Sequence, residues 1–268
     1  MADKRPIGVF DSGLGGLTVV RELKRKLPGE SIVYFGDTGR VPYGNKSRDT
    51  IRKYAMEDEK FLLSHNVKLI VAACGTVSSV AKDTAETLPV PFVEVVSHAA
   101  DAAVKATKNG KIGVIGTAAT INSGAHKRYI LNKMPDAEVI ENGCPLFVPL
   151  VEEGIVGKDE LIVREAVKRY LEPIMSFGVD TLILGCTHYP VLSEAIADYC
   201  GDGVTLINMG EATAGYVHQF LSENEMLSDT VGTDKYFVSD RSEFFSQNAR
   251  MLLGTCDITA EVVDIEKL

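Results

Sequence analysis

The chain has 268 residues, of which 45% are hydrophobic and 24% are charged, and its formal net charge at pH 7 is -9. This length allows two domains, and the composition is typical of a soluble globular protein rather than a fibrous or disordered one. The negative charge argues against a nucleic-acid surface, because phosphate binding requires clustered Lys and Arg side chains.

The N-terminal residues, MADKRPIGVFDSG, lack the apolar core and cleavage site of a secretion signal, and no apolar run approaches the roughly 18 residues of a membrane span. We therefore expect a cytoplasmic protein that makes no membrane contact. Five scattered cysteines without a CxxC pair indicate free thiols rather than a disulfide framework. Cys186 and His188 form a single close pair, so we predict no metal site.

Apolar strands alternate with amphipathic helices along the whole chain, which predicts parallel sheets covered by helices. Helices are expected, among others, from about residue 79, at 98–107, at 123–134 and at 242–253. Residues 144–157, with two prolines and two acidic residues, predict a loop with short helical turns over a site. Strands are predicted at residues 7–10, 31–35, 68–73, 92–96, 111–115, 138–140, 181–185, 204–207, 236–238 and 260–263.

The sequence also contains the signs of an internal duplication. The tripeptide IGV at Ile7 recurs at Ile112, an offset of 105 residues, and a strand ending in Cys74 is followed 112 residues later by one ending in Cys186. Similar offsets of two landmarks predict two similar α/β domains with the active site in the cleft between them. We assign residues 1–97 and 208–268 to the first domain and residues 98–207 to the second.

The first strand runs into a glycine-rich turn, DSGLGG at residues 11–16, which opens a helix. Backbone N–H groups at such a turn could bind an anion, or the turn could be only a tight strand-to-helix connection. It lacks the G-x-G-x-x-G spacing of a dinucleotide site.

Two aliphatic strands end in a cysteine followed closely by a threonine: KLIVAACGT at Cys74 and TLILGCTHYP at Cys186. Ligands of open α/β sheets bind at the carboxyl ends of strands, so both thiols are expected at the site. Their strand-to-helix junctions favour the thiolate form, and Asp11 and His188 could each assist one cysteine. We interpret the remaining cysteines, Cys144, Cys200 and Cys256, as packed hydrophobic residues.

A pair of opposed thiols suits the inversion of a carbon centre. A base must remove a proton from one face of the substrate, and an acid must return a proton to the other face. A duplicated chain with one thiolate and one thiol provides such a site. The alternative is a redox disulfide, which usually places its two cysteines in a CxxC motif.

Several motifs together resemble those of the glutamate racemases, in the cofactor-independent amino-acid racemase superfamily. They are FDSG at 10–13 with GGLTV at 15–19, Asp37 with Arg40 and PYG at 42–44, Ala73-Cys74 with Thr76, and GCTHYP at 185–190. The resemblance implies two similar α/β domains and interconversion of L- and D-glutamate for peptidoglycan synthesis. It also implies catalysis without pyridoxal phosphate or any other cofactor, and a homodimer.

The resemblance assigns roles to individual residues. Cys74 and Cys186 are implied to be the acid/base pair, with Asp11 assisting Cys74, His188 assisting Cys186, and Glu153 as a nearby acidic residue. A further set is implied to bind the carboxylates and the ammonium group of glutamate: Ser12, Asp37, Pro42, Tyr43, Gly44, Gly75, Thr76, Thr117, Thr120 and Thr187.

One departure from the family pattern lies beside the first cysteine. The family usually has Asn at the position of Gly75, which implies the loss of an amide contact with the substrate. Two alternatives to glutamate racemisation also stay open. The substrate could be aspartate or another small acidic amino acid, because these motifs do not distinguish substrates whose side chains differ by one methylene group. Some family members also bind DNA gyrase, although they tend to carry extra N-terminal sequence, whereas this chain enters its first strand by Ile7.

Overall fold

The computed structural model describes residues 3–230, 232–241, 245–254 and 258–267. In this part of the chain, the strands β1 to β10 are Ile7–Asp11, Ile32–Gly36, Leu69–Ala72, Phe92–Glu94, Lys111–Gly116, Glu138–Gly143, Thr181–Gly185, Thr205–Asn208, Lys235–Val238 and Ala260–Val262. The α-helices α1 to α11 are Leu17–Lys26, Arg48–Ser64, Gly75–Val80, Val95–Ala106, Ala118–Ser123, Ala125–Lys133, Phe147–Glu152, Leu161–Ser176, Ser193–Cys200, Met209–Glu223 and Phe245–Leu253.

The described strands form two sheets, in both of which all paired strands are parallel. The first sheet has the order β10-β9-β2-β1-β3-β4, and the second has the order β6-β5-β7-β8. The central strands β1, β3 and β7 consist mainly of apolar residues and are buried, as expected for parallel sheets with helices on both faces. The predicted class, two parallel-sheet α/β domains, is confirmed.

The two sheets repeat one topology. In the first, β1 lies between β2 and β3, and β4 follows β3; in the second, β5 lies between β6 and β7, and β8 follows β7. Strand β1 therefore corresponds to β5, and β3 corresponds to β7. The two IGV tripeptides and the two cysteines predict the same correspondence. The shared order supports a duplication, and it places Cys74 and Cys186 after equivalent strands.

The C-terminal part of the chain returns to the first sheet. Strand β9 pairs with β2, and β10 pairs with β9, so the first sheet combines strands from both ends of the chain. All strands of the second sheet come from residues 111–208. The exact domain boundaries, at residues 98 and 208, stay a prediction.

Three helices differ from the sequence-based prediction. Helix α3 begins at Gly75 rather than near residue 79, so Cys74 directly precedes it. Helix α4 begins at Val95, because the Glu94 side chain accepts hydrogen bonds from the backbone N–H groups of the first turn, whereas the β-branched pair after Glu94 had predicted a strand. The helix predicted at 123–134 is confirmed as α6, whereas the short helix α5 before it was not predicted; the two helices meet at Gly124, which has a φ of 60°.

The predicted helix at 242–253 is seen as α11, which starts at Phe245; residues 242–244 lie outside the described residues, as does Cys256. Within the described parts of the chain, no helix is both long and apolar enough to cross a membrane.

A buried ion pair joins distant segments of the first domain. The Nζ atom of Lys68 lies 2.6 Å from Oε2 of Glu30 and donates hydrogen bonds of 2.7 Å to the carbonyls of Asp3 and Met226. Neither charged side chain is more than 3% exposed. Such a pair is costly to break, because the remaining charge is left in a poorly solvated position.

We expect Lys68→Ala to lower the free energy of unfolding by about 3–5 kcal/mol, because Glu30 is then buried without its cation. Urea titration followed by circular dichroism measures the change. The matched control is Lys4→Ala, because Lys4 pairs with Asp229 at the surface, where both side chains are more than half exposed; this change should stay within about 0.5 kcal/mol. Equal effects of the two substitutions would contradict the prediction.

Candidate active site

One cavity of about 370 Å³ lies between the two sheets and is lined by residues from both. Because the strands of each sheet are parallel, the segments that follow their carboxyl ends meet at one edge, and here the two edges face each other. Helix α3 of the first sheet packs against α5 of the second beside the cavity. The cavity has the size of a small-molecule site.

Most of the residues that the sequence predicts for the site line this cavity. They are Ser12, Pro42, Tyr43, Gly44, Cys74, Gly75, Thr76, Thr117, Thr120, Cys186, Thr187 and His188. The two cysteines come from different sheets, and both thiols lie within the same space.

Cys74 is 5% exposed and lies at the end of β3, where its thiol contacts the Ser12 hydroxyl at 3.5 Å. Burial, followed by the negative charge of Asp11, raises the pKa of Cys74 to about 12. The expectation that both cysteines favour the thiolate therefore does not hold for Cys74. Burial disfavours the thiolate of Cys74 more strongly than the backbone amide groups at the strand-to-helix junction favour it. Cys74 is therefore a thiol at neutral pH.

Cys186 has a cationic partner. Its Sγ atom lies 3.8 Å from Nδ1 of His188, and Nε2 of His188 lies 3.3 Å from Oε1 of Glu152, close enough for an ion pair although the contact lacks hydrogen-bond geometry. Burial alone would lower the pKa of His188, but the contacts with Cys186 and Glu152 outweigh burial and raise it to about 10. His188 is therefore an imidazolium at neutral pH, and its positive charge lies beside the sulfur of Cys186.

This charge links proton binding to stability. An unfolded histidine has its pKa near 6.5, so between pH 6.5 and about 10 folded His188 holds a proton that the unfolded chain has lost. The contribution of this group to the free energy of unfolding is complete below pH 6.5, and it is lost as the pH rises toward 10.

Asp11 lies behind the cavity wall and is 1% exposed. One carboxylate oxygen accepts a hydrogen bond of 3.0 Å from the backbone N–H of Gly13, whereas the other has no hydrogen-bond partner within the described structure. Burial raises the pKa of Asp11, and the positive charge of His188 opposes this shift. Asp11 thus acts on Cys74 and His188 through its charge.

Three threonine hydroxyls cross the boundary between the sheets. Oγ1 of Thr117 lies 3.1 Å from Oγ1 of Thr76, and it lies 3.0 Å from Oγ1 of Thr120. Thr76 belongs to α3 of the first sheet, whereas Thr117 caps α5 of the second. Hydroxyls can donate or accept, so this row can bind a carboxylate.

Tyr43 and Gly44 line the cavity from a short 3₁₀ helix, Tyr43–Asn45. The Tyr43 hydroxyl donates to Asp37 and lies 3.2 Å from Oδ2 of Asp58, and the Arg40 guanidinium contacts the same two carboxylates. Asp37 is completely buried and does not line the cavity. Its position indicates that it holds this segment in place, and it is not placed to contact a ligand.

Glu153, the acidic residue implied by the resemblance, is exposed and lies off the cavity wall. Its neighbour Glu152 lines the cavity and contacts His188. Both glutamates lie with His188 along a second, smaller cavity of about 230 Å³. The sequence could not show which of the two adjacent glutamates faces the cavity, because this depends on the rotation of α7 about its own axis.

The comparisons with known proteins agree with this geometry. The profile of the Asp/Glu/Hydantoin racemase family matches residues 7–217. The chain is 44% identical to the glutamate racemase of Chlorobaculum tepidum over 97% of this chain and 95% of that protein. The chain belongs to the glutamate racemase family.

Solved structures of the family have the same architecture. The glutamate racemase of Francisella tularensis, crystallised with D-glutamate, is 40% identical, with a TM-score of 0.92 over 99% of this chain and 100% of that chain. The enzyme of Thermus thermophilus, crystallised with β-chloro-D-alanine, is 42% identical, with a TM-score of 0.89 and complete coverage of both chains.

The cavity of this glutamate racemase family member also has lining residues that sequence reasoning missed. The segment at 144–157, expected to lie over a site, contributes Cys144, Pro145, Val148 and Pro149 as well as Glu152. Cys144 had been interpreted as a packed hydrophobic residue; it is buried, as that interpretation requires, yet its residue borders the cavity. Among the described residues, no cluster of three or more His, Cys, Asp or Glu side chains could hold a metal ion.

We expect the ring of His188 to titrate near pH 10 and Glu152→Gln to move this midpoint down by about one pH unit, because the neutral amide no longer stabilises the imidazolium. NMR spectra of the histidine rings measure the titration, and a His188→Gln variant assigns the signal. The matched control is Glu153→Gln, which should leave the midpoint unchanged. A larger effect at Glu153 than at Glu152 would show that the wrong glutamate has been chosen.

Proposed function

We propose that this chain interconverts L- and D-glutamate without a cofactor, using Cys74 and Cys186 as its two acid/base residues. The observation that carries the proposal is that both cysteines follow equivalent strands of the two sheets and line one cavity. A mirror-image product requires acid/base groups on both faces of the α-carbon, and this arrangement supplies them. Membership of the glutamate racemase family adds the substrate class.

The two thiols have different surroundings, and we propose different starting roles for them. Cys186, beside the His188 imidazolium, is the proposed base and starts as the thiolate, whereas Cys74, whose pKa is raised by burial and by Asp11, is the proposed acid and starts as the thiol. The Cys186 thiolate takes the α-proton, forming an S–H bond while the electron pair of the broken C–H bond stays on the substrate. The Cys74 thiol then gives its proton to the opposite face and becomes a thiolate. The reverse direction exchanges these roles.

Substrate binding is proposed to use both sheets. We propose that the hydroxyls of Thr76, Thr117 and Thr120 bind one carboxylate of glutamate, and the support for this is that they lie in one row beside the cavity. Ser12 and the segment with Tyr43 and Gly44 are proposed to contact the remaining polar groups. In place of Glu153, we propose Glu152 as the acidic residue that holds His188 charged.

Aspartate is the nearest alternative substrate. It is shorter than glutamate by one methylene, which a pocket distinguishes by about 1–3 kcal/mol, or roughly 10- to 200-fold. The high identity to glutamate racemases favours glutamate. We also propose that the reaction supplies D-glutamate for peptidoglycan synthesis. The cytoplasmic location and the homodimer stay predictions, and the binding of DNA gyrase stays an untested alternative.

With no added cofactor, the purified protein should racemise either enantiomer of glutamate and incorporate solvent deuterium at the α-carbon. The optical signal should decay to zero, because the two enantiomers have equal free energy. Polarimetry and mass spectrometry in D₂O measure both events, and aspartate serves as the competing substrate. Failure with both amino acids would refute the proposed activity, whereas faster turnover of aspartate would reassign the substrate.

Replacing Cys74 or Cys186 with Ser should lower kcat by about 10²- to 10⁴-fold, because each change removes one acid/base group. Racemisation rates in both directions measure the loss. Cys200→Ser is the matched control, because Cys200 is a buried cysteine at the end of α9, outside the cavity. Full activity of both active-site variants would exclude the two-thiol mechanism.

A further inference from the structure

The last α-helix, α11, makes a buried hydrogen bond with the helix that carries Glu152. The side chain of Asn248, which is 9% exposed, donates from Nδ2 to the backbone carbonyl of Glu152 at 3.0 Å. Asn248 does not line the cavity that holds Cys74 and Cys186, but it lines the second, smaller cavity together with Glu152 and His188. This hydrogen bond therefore lies beside the pair that Glu152 makes with His188.

The carbonyl of Glu152 receives this hydrogen bond from outside its own helix. Glu152 is the last residue of α7, and the carbonyls at the end of a helix lack donors from the following turn. The next three backbone N–H groups, at residues 153–155, donate to other carbonyls of α7, at positions 149–151. The amide of Asn248 donates to the Glu152 carbonyl instead, and it ties the end of α7 to α11.

The carboxylate of Glu152 needs such a support, because it has an alternative to His188. The Glu152 side chain is 46% exposed, so water can solvate the carboxylate if it turns away from the ring. Its contact with Nε2 of His188, at 3.3 Å, lacks hydrogen-bond geometry and does not fix the carboxylate by itself. The backbone position of Glu152 therefore determines how close its charge stays to the ring.

We propose that Asn248 is a positioning residue, which holds the end of α7 so that the carboxylate of Glu152 stays beside His188. Asn248 lines no part of the cavity with the two cysteines, so it acts on the site through Glu152. The effect on turnover rests on the two-thiol function proposed above. The effect on the charge of His188 is independent of that function.

Three ionisable groups besides Glu152 face the ring of His188. Cys186 contacts Nδ1 from the same loop, Asp11 acts on the ring through its charge, and Glu153 lies along the second cavity. The residues of α11 that line the second cavity are uncharged. Among the four ionisable groups, the hydrogen bond from α11 goes to Glu152. We therefore expect a change in α11 to reach His188 through Glu152.

A purely structural role of Asn248 makes a different prediction. If Asn248 only satisfies an open carbonyl at the end of a helix, its loss should lower the stability of the chain and leave the titration of His188 unchanged. If Asn248 positions Glu152, its loss should lower the midpoint of this titration. The shift should then occur only while residue 152 carries a carboxylate.

The experiment compares the unmodified chain with Asn248→Leu, Asn248→Ala, Glu152→Gln and the double variant Asn248→Leu/Glu152→Gln. Leucine has nearly the shape of asparagine without its N–H donor, and alanine removes the donor without requiring space. The matched control is Asn224→Leu, because Nδ2 of Asn224 makes a similar bond of 2.8 Å to a backbone carbonyl at the end of α10, outside both cavities.

Three properties of each protein are measured. NMR spectra follow the titration of the His188 ring, and racemisation of glutamate gives kcat and KM from neutral pH to above pH 10, the region in which His188 titrates. Thermal unfolding reports stability, so that a loss of folding is separated from a change in the charge of the ring.

We expect Asn248→Leu and Asn248→Ala to lower the His188 midpoint by about 0.5 pH unit, because a displaced carboxylate keeps only part of its attraction for the imidazolium. At neutral pH kcat should stay nearly unchanged, because the ring is still protonated there. The decline of kcat at alkaline pH should begin about 0.5 pH unit lower. The thiol of Cys74, with a pKa of about 12, titrates above this range.

The double variant and the control complete the comparison. In the Glu152→Gln chain, Asn248→Leu should cause no further shift of the His188 midpoint, and Asn224→Leu should match the unmodified chain. An unchanged midpoint in both Asn248 variants would overturn the proposal, as would an equal shift with and without the carboxylate at residue 152. Failure of both Asn248 variants to fold would also overturn it, because Asn248 would then serve stability.

The titration separates this proposal from the proposed function. An unmodified chain that racemises neither glutamate nor aspartate would refute the function. The ring of His188 would still titrate in that chain, and its midpoint in the Asn248 variants would still decide whether Asn248 positions Glu152.

Discussion

The site depends on how closely the carboxyl-end edges of two parallel sheets approach each other. Gly75 meets the backbone of Gly185 at this boundary, and the Thr76 and Thr117 hydroxyls bond across it. Thr18 adds a hydrogen bond of 2.8 Å to the carbonyl of Thr187. Each edge alone carries one of the two proposed acid/base thiols and part of a polar wall, so Cys74 and Cys186 share one cavity only because these contacts hold the edges together.

The duplication makes the backbone nearly symmetric, but the charges around the two thiols are not. Cys186 has His188 beside it, with Glu152 on the far nitrogen of the ring, whereas Cys74 has a serine hydroxyl and the negative field of Asp11. Burial strengthens both effects, because water screens neither charge. The two strand ends thus give their thiols different electrostatic surroundings, and the proposed inversion needs such a difference before any substrate binds.

The C-terminal part of the chain, which pairs with the first sheet, also helps to hold the cavity wall in place. Ser239, which follows β9, donates a hydrogen bond of 2.8 Å to Asp37, and Asp37 accepts from Tyr43 at the cavity wall. Arg40 stacks on Tyr54 at 4.0 Å and balances the buried carboxylates. The C-terminal strands therefore help to fix the 3₁₀ helix that borders the site, although they contribute no residue to the lining.

The sequence by itself determined the class of fold, because strands buried between two layers of helices consist of apolar residues that can be recognised in the sequence. It also determined most of the cavity lining, because Cys74 and Cys186 each follow such a strand, and their separation in sequence is similar to that of the two IGV tripeptides. It misplaced the starts of α3 and α4, where β-branched residues such as Val95 suit either a strand or a capped helix. Only the tertiary structure decided which glutamate lies against His188 and that the pKa of Cys74 is raised by burial. Each depends on distances between segments far apart in the chain, and local residue patterns carry no information on those distances.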